Sequence, residues 1–180
     1  MNKDISEIYF SCDDIRKKVS EMAKELDDFY KGEEVLFVGV LKGSLPFFVD
    51  LARAVSFPVM FDFICASSYG CSTESSGTLK ITKDLSVPIE GKNVLVVEDI
   101  LDSGNTLYHL FQNLSKRNPK SLKLCCLLDK PSRRKQHVEA DFVGFTIPDA
   151  FVVGYGLDYA ERYRELPYIG ILKSEVYENR

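Results

Sequence analysis

A chain of 180 residues is long enough for one domain with a sizeable core and too short for two of ordinary size. Apolar residues make up 45%, charged residues 28% and aromatics 12%, which excludes a disordered or fibrous polypeptide, and no apolar run approaches the ~20 residues of a membrane helix. A net charge of −4 excludes a broad attraction to nucleic-acid backbones, so any anion site has to be local.

The first residues, MNKDISE, carry no signal-peptide core. Five cysteines, Cys12, Cys65, Cys71, Cys125 and Cys126, have no CxxC spacing and read as reduced thiols, so a cytoplasmic protein is expected. Ser11 or Cys12 opens a helix with Ile15, Val19, Met22, Ala23, Leu26 and Phe29 on one face, and Gly32 suits its end. Residues 35–41, VLFVGVL, form a continuous apolar run of the kind covered on both faces of a sheet, and Gly43 begins a second helix reaching about residue 55. Residues 59–66 are rich in β-formers. The Ser-, Thr-, Gly- and Lys-rich span 67–86 is longer than most loops of a compact domain, and reads either as a lid or as a hairpin turning at Ser76-Gly77.

Residues 93–97 read as the next buried strand, 106–116 as a helix with Leu107, Leu110, Phe111 and Leu114 on one side, and 122–128 as a further strand. The βαβαβ order predicts an α/β fold, a largely parallel sheet flanked by helices, with residues 1–180 as a single domain. After Pro131 comes a basic turn, Arg133, Arg134 and Lys135, read as solvated or as a subunit contact and left outside any site. Short strands are expected at 141–145, 151–153 and 168–172. His109 and His137 lack partners at metal-ligand spacing and read as structural or exposed.

The most informative segment is VLVVEDILDSGNTL, residues 94–107. In an open parallel sheet, ligands bind beyond the carboxyl ends of the strands, which is where Glu98 and Asp99 are expected. Ser103 and Thr106 supply hydroxyls, Gly104 allows close backbone approach, and the start of a helix supplies amides, all suited to a phosphate. An N-cap at Ser103 would account for part of the same pattern. Neither GxxxxGK(S/T) nor GxGxxG is present. Neutral donors for a phosphate beside three carboxylates suit one ligand that carries both phosphate and hydroxyl groups with a divalent cation nearby, a phosphorylated sugar with Mg²⁺.

This segment, a buried strand, two acids, an Asp and a Ser-Gly-x-Thr loop, resembles the signature of the phosphoribosyltransferases. The resemblance covers nearly the whole chain. Through Leu41-Lys42-Gly43-Ser44, Ser68-Tyr69, Leu128-Asp129-Lys130 and the run Phe151-Val152-Val153-Gly154-Tyr155-Gly156-Leu157-Asp158-Tyr159 it is similar to the purine branch of that family that uses hypoxanthine and guanine. It implies the type I fold, with a small hood formed by the N- and C-terminal segments and a lid at about 67–86. The implied activity is Mg²⁺-dependent purine salvage: a purine base and phosphoribosyl pyrophosphate give a nucleoside monophosphate and pyrophosphate, in a homodimer or homotetramer.

Residue by residue, the resemblance implies that Lys42 and Gly43, after a cis peptide, present N–H groups to pyrophosphate, with Arg164 gripping it and Ser68 and Tyr69 opening the lid. Glu98 and Asp99 are similar to the acids that hold the ribose hydroxyls and approach the metal, and Asp158 to a second metal-site acid near the purine. Asp102 matches the general base at purine N7, and Ser103, Gly104, Asn105 and Thr106 match the 5-phosphate loop. Lys130 is similar to the residue that meets the 6-oxo group, Phe151 to the stacking ring, and Val152 to a backbone contact. Asn105 departs from relatives with a basic residue there, and Ser44 from those with a second Gly. Xanthine is a third candidate base. An adenine preference fits Lys130 poorly, and an RNA-binding regulator on the same scaffold fits the acidic balance poorly. A receiver-like Mg²⁺ site has no use for Ser103 to Thr106 directly after Asp102.

Overall fold

The run VLFVGV offers solvent no polar side chain. In the computed structural model, which describes residues 2–68 and 79–178, it forms β2 (Val35–Val40), buried along its whole length. β2 pairs in parallel with β3 (Val59–Ser68) on one side and β5 (Asn93–Leu101) on the other. β6 (Ser121–Asp129) adds in parallel to β5, and β7 (Phe142–Thr146) to β6. β4 (Leu79–Lys83) closes the other edge antiparallel to β3, giving the order β4-β3-β2-β5-β6-β7. The expected α/β architecture is present.

Alternation along the strands divides the core in two. Phe37, Leu95, Val97 and Cys125 face α1 (Cys12–Tyr30) and α2 (Leu45–Ala54), while Leu36, Val38, Val94, Val96 and Cys126 face α3 (Asn105–Ser115). Adjacent Cys125 and Cys126 thus point to opposite layers, and both are free thiols, as are Cys12 and Cys65. α1 opens with a capping box between Ser11 and Asp14 and ends at Lys31, φ 50°, before Gly32. The expected core position Phe29 is instead exposed, with Lys123 over its ring, and Tyr30 takes the buried place on the stripe four residues after Leu26.

A second, antiparallel sheet of order β1-β9-β8 forms the hood from β1 (Ile5–Phe10), β8 (Val152–Val153) and β9 (Ile169–Leu172), followed by the short helix α4 (Ser174–Tyr177). Its small core holds Ile5, Val153, Tyr163 and Leu172. The Tyr155 hydroxyl donates to Asp50 of α2 at 2.6 Å and ties the hood to the main layer.

Several expected boundaries shift, and three of the shifts bear on the site. α2 starts at Leu45 because residues 42–44 form a turn. β5 runs on to Leu101 because β6 keeps pairing beside it, with Glu98 opposite Cys126 and Leu101 opposite Asp129, so the two acids lie inside a strand. Within 67–86, residues 79–83 are strand, with Ser68 opposite Leu79, so the described part has hairpin arms. The turn expected at Ser76-Gly77, like Tyr69, Cys71 and the rest of the proposed lid tip, lies outside the described residues. Asp62 anchors the returning arm, its carboxylate accepting from the N–H of Ser86 at 2.6 Å and of Val87 at 3.1 Å. Among the described residues no helix is long and apolar enough to cross a membrane.

Candidate active site

The end of β5 places acids where the parallel sheet opens toward the hood. Glu98 Oε2 is buried without a hydrogen-bond partner, and burial together with the neighbouring Asp99 charge pushes its carboxyl well above the ordinary range. Burial also raises Asp99, to about 6, against the opposing effects of the Ile100 N–H, which donates to Asp99 Oδ1 at 2.8 Å, and of the Arg164 charge. Two adjacent carboxylates held this way favour a cation arriving from outside the chain. Among the described residues no group of three or more His, Cys, Asp or Glu side chains has metal-ligand geometry.

Asp102 follows directly after the strand. Its Oδ1 is buried with no hydrogen bond, and Arg133 Nε lies 3.5 Å away, an ion-pair distance. Arg134 donates from NH1 to the carbonyls of Leu101, at 2.9 Å, and of Asp102, and from NH2 to the carboxylate of Asp129. The Ser103 carbonyl accepts from the N–H groups of Lys135, at 2.9 Å, and Gln136, at 3.2 Å. The basic turn therefore packs against the backbone of residues 101–103, with Arg133 at ion-pair distance from Asp102. The reason is register: β6 ends beside β5, and the Lys130 N–H donates to the Leu101 carbonyl at 3.0 Å, so the chain leaving β6 must fold across the loop after Asp102.

The N-cap of α3 is Gly104, at φ 79°, which has no side chain to cap with; one residue earlier, the Ser103 hydroxyl oxygen accepts from the Asn105 N–H at 3.4 Å. That left-handed backbone suits glycine, and a Cβ at Gly104 would meet Arg134 Cδ at 3.3 Å. The first amides of a helix lack intrahelical acceptors, so this loop has donors for an anion.

On the opposite rim the Leu41–Lys42 peptide is cis. Gly43 follows because nothing larger fits: a Cβ there would stand 1.8 Å from Asp99 Oδ2. Ser44, in place of a second glycine, is buried and its hydroxyl donates to the Val40 carbonyl at 2.7 Å, closing the turn. Lys42 Nζ lies 3.0 Å from Glu161, and Arg164 NH2 lies 2.8 Å from Asp158 and 3.4 Å from the same Glu161 oxygen. Arg164 NH1 donates to the Gly156 carbonyl at 2.7 Å.

Between the two rims a cavity of about 230 Å³ gathers Asp102, Lys130, Phe151, Val152 and Asp158 with Asp99, and adds Ile100 and Leu157. Lys130 is buried, with Nζ donating to the Ala150 carbonyl at 2.9 Å and 3.6 Å from Asp149. Ile100 and Leu157 were absent from the expected site; as apolar residues next to a strand or turn they carry no sequence signal that separates them from core. Ser68 closes β3, and its side chain and all of Tyr69 lie outside the described residues. A larger cavity of about 720 Å³, between α3 and residues 137–139, contains none of the strand-end acids.

Residues 8–160 match the phosphoribosyl transferase domain. The hypoxanthine-guanine phosphoribosyltransferase of Bacillus subtilis (strain 168) is 54% identical, over 99% of this chain and 99% of its own length. The protein of that name from Mycobacterium avium is 49% identical over 97% of this chain and 89% of its own. Among solved structures, a hypoxanthine phosphoribosyltransferase from Staphylococcus aureus superposes with a TM-score of 0.94 at 48% identity, covering 98% of this chain and 96% of that one. A Trypanosoma cruzi hypoxanthine phosphoribosyltransferase in a ternary substrates complex superposes with a TM-score of 0.93 at 42% identity, covering 98% and 100%.

Proposed function

This chain belongs to the phosphoribosyltransferase family, and from that premise we propose how its residues divide the reaction. It is a purine salvage transferase, converting hypoxanthine or guanine and phosphoribosyl pyrophosphate to IMP or GMP and pyrophosphate. The observation that carries the assignment of roles is the buried Oδ1 of Asp102, which makes no hydrogen bond, in one cavity with Lys130 and Phe151 and next to the start of α3.

Asp102 takes the proton from N7 of the base while N9 attacks the anomeric carbon and the bond to pyrophosphate breaks. General-base help of this kind contributes about 10² to 10⁴-fold. Lys130 donates to the 6-oxo group, turning from the Ala150 carbonyl that it meets here. Phe151 stacks on the base, Ile100 and Leu157 supply apolar walls, and Val152 contributes backbone contacts. Ser103, Gly104, Asn105 and Thr106 hold the 5-phosphate through backbone amides and hydroxyls. With Asn105 in place of a basic residue, the amides do more of that holding.

Glu98 and Asp99 hold the ribose hydroxyls and stabilise positive charge developing on the sugar. The same pair fits Mg²⁺: it offers oxygen donors, one of them an orphaned buried oxygen, and burial raises both carboxyls. An ion held by one or two carboxylates plus substrate oxygens is the usual arrangement for Mg²⁺, and when bound it would neutralise the departing pyrophosphate. Asp158 serves the same ion only if it yields Arg164 to the substrate. Lys42, the amides around Gly43, and Arg164 receive pyrophosphate, and the paired ends of β3 and β4, from Ser68 and Leu79, cover the site against water.

The exposed Leu45 and Val49 of α2 and Phe61 of β3 support assembly as a homodimer or homotetramer, and the free thiols support a cytoplasmic location. The test is product formation. Purified protein with hypoxanthine, phosphoribosyl pyrophosphate and Mg²⁺ is expected to yield IMP and pyrophosphate, and Asp102→Asn to yield little. A folded wild-type protein that forms no IMP overturns the reading.

A further inference from the structure

We propose that Tyr177 is a positioning residue for the purine, backing the ring of Phe151 so that one aromatic face is held ready for the base; the inference rests on the stacking role of Phe151 proposed above. Phe151 is 38% exposed and belongs to none of the three core clusters. Its backbone is fixed, since its carbonyl accepts from the Leu172 N–H at 2.8 Å, but core packing does not fix its ring. An exposed ring left to itself would lose rotamer freedom each time a base docked on it.

Two other rings do that fixing. Tyr177 lies parallel to Phe151, with centroids 4.8 Å apart and planes 19° from one another, and Tyr159 meets Phe151 edge-on at 5.5 Å and 86°. Phe151 lines the candidate base cavity, whereas Tyr177 and Tyr159 do not, so both rings support Phe151 from outside that cavity. A docked base would become the third layer of a stack whose lower two layers already exist.

The backing ring is itself held. α4 begins directly after β9, which pairs with β8, the strand that carries Val152 of the base pocket. The Lys173 N–H donates to the Asp4 carbonyl at 3.0 Å, and Val176 and Tyr177 pack against the hood core. The Tyr177 hydroxyl forms no hydrogen bond among the described residues, so the ring is what acts. Residue 177 also lies beyond the part of the chain matched by the phosphoribosyl transferase domain, residues 8–160.

The test compares Tyr177→Leu, Tyr177→Phe and Phe151→Leu in the full chain, with KM measured separately for hypoxanthine and for phosphoribosyl pyrophosphate. Tyr177→Leu is expected to raise KM for hypoxanthine about three- to tenfold, in line with the loss of one aromatic pair, and to leave KM for phosphoribosyl pyrophosphate unchanged. Tyr177→Phe is expected to behave as wild type. If Phe151→Leu raises KM for hypoxanthine while Tyr177→Leu does not, the backing role is wrong and the stacking role of Phe151 stands. If Phe151→Leu leaves that KM unchanged, the stacking role fails and this inference with it. A Tyr177→Leu protein that weakens both substrates equally, or that does not fold while Tyr177→Phe fails to restore the purine KM, assigns Tyr177 to hood stability alone and overturns the proposal.

Discussion

At the end of β5 the carboxylates of Glu98 and Asp99 have no cation of their own among the described residues, whereas the hood side arrives with its charges already paired: Lys130 with Asp149, Arg164 with Asp158, and Lys42 with Glu161. On the proposed roles, the two halves of the site would do different work when substrate comes. The strand-end half would gain partners, because a metal ion and a sugar moving toward positive charge would meet an unneutralised field. The hood half would exchange them, because each of its cations would have to leave a carboxylate or carbonyl for a substrate oxygen. Binding would then be favourable on the first side for electrostatic reasons and nearly balanced on the second.

The sharpest way to break this contrast is at Asp102, which belongs to the first half but has Arg133 at 3.5 Å. If its role is proton transfer, Asp102→Asn should lower kcat by about 10² to 10⁴-fold with KM for phosphoribosyl pyrophosphate nearly unchanged. Steady-state kinetics decide it; a matching rise in KM with kcat intact would make Asp102 a binding group. Next in size is Lys130→Met. A hydrogen bond to a charged group is worth about 1.5–3 kcal/mol, so kcat/KM for 6-oxo purines should fall about 10- to 100-fold. Competition between hypoxanthine and adenine should become less one-sided.

A third prediction concerns the stability of the strand-end half. Burial raises Asp99 from 3.8 to about 6, so its charged form is disfavoured in the folded chain. The penalty is absent below pH 3.8, grows as pH rises toward 6, and is complete above it. Asp99→Asn should therefore stabilise the ligand-free protein above pH 6, by on the order of 1–2 kcal/mol because part of the carboxylate still reaches solvent, with the gain fading by pH 4. Thermal melts at the two ends of that range test it, and a gain independent of pH would assign the effect to something other than charge. The same substitution should cost activity.

How much of this was legible in the sequence depended on whether the determining contact was local. β2 and the first part of β5 were readable because an unbroken apolar run has no other place in a chain of this composition. β1 was not: its bulges break the alternation, and its partner, β9, lies some 160 residues away, Ile5 opposite Leu172. The end of β5 was misplaced because a carboxylate usually marks where burial stops, and only pairing with β6 shows a strand running on through two acids. The roles of Arg133 and Arg134 were hidden for the same reason, since a basic turn looks solvated until the β6 end is set beside β5. Lys130, Phe151 and Arg164 enter the candidate site through family resemblance; local chemistry alone reads them as a surface lysine, a core aromatic and one charge in a mixed run. The paired charges of the hood, which decide how it meets substrate, were invisible.

The smallest effect is the most direct probe of partner exchange. One oxygen of Glu161 lies 3.0 Å from Lys42 and 3.4 Å from Arg164, the two cations assigned to pyrophosphate, so it occupies in the free protein a place among charges that the substrate must take. The hydrogen bond from Lys42, and then its charge and that of Arg164, hold the Glu161 carboxyl below its ordinary value, so it stays ionised at any ordinary assay pH. Because the group is exposed and salt screens it, the competition is weak: Glu161→Gln should lower KM for phosphoribosyl pyrophosphate by about two- to fivefold at low ionic strength, and the difference should vanish at high salt. A rise in KM would mean that Glu161 holds Lys42 and Arg164 in the geometry pyrophosphate needs. The hood would then be pre-arranged like the end of β5, and the contrast between the halves would reduce to one of burial.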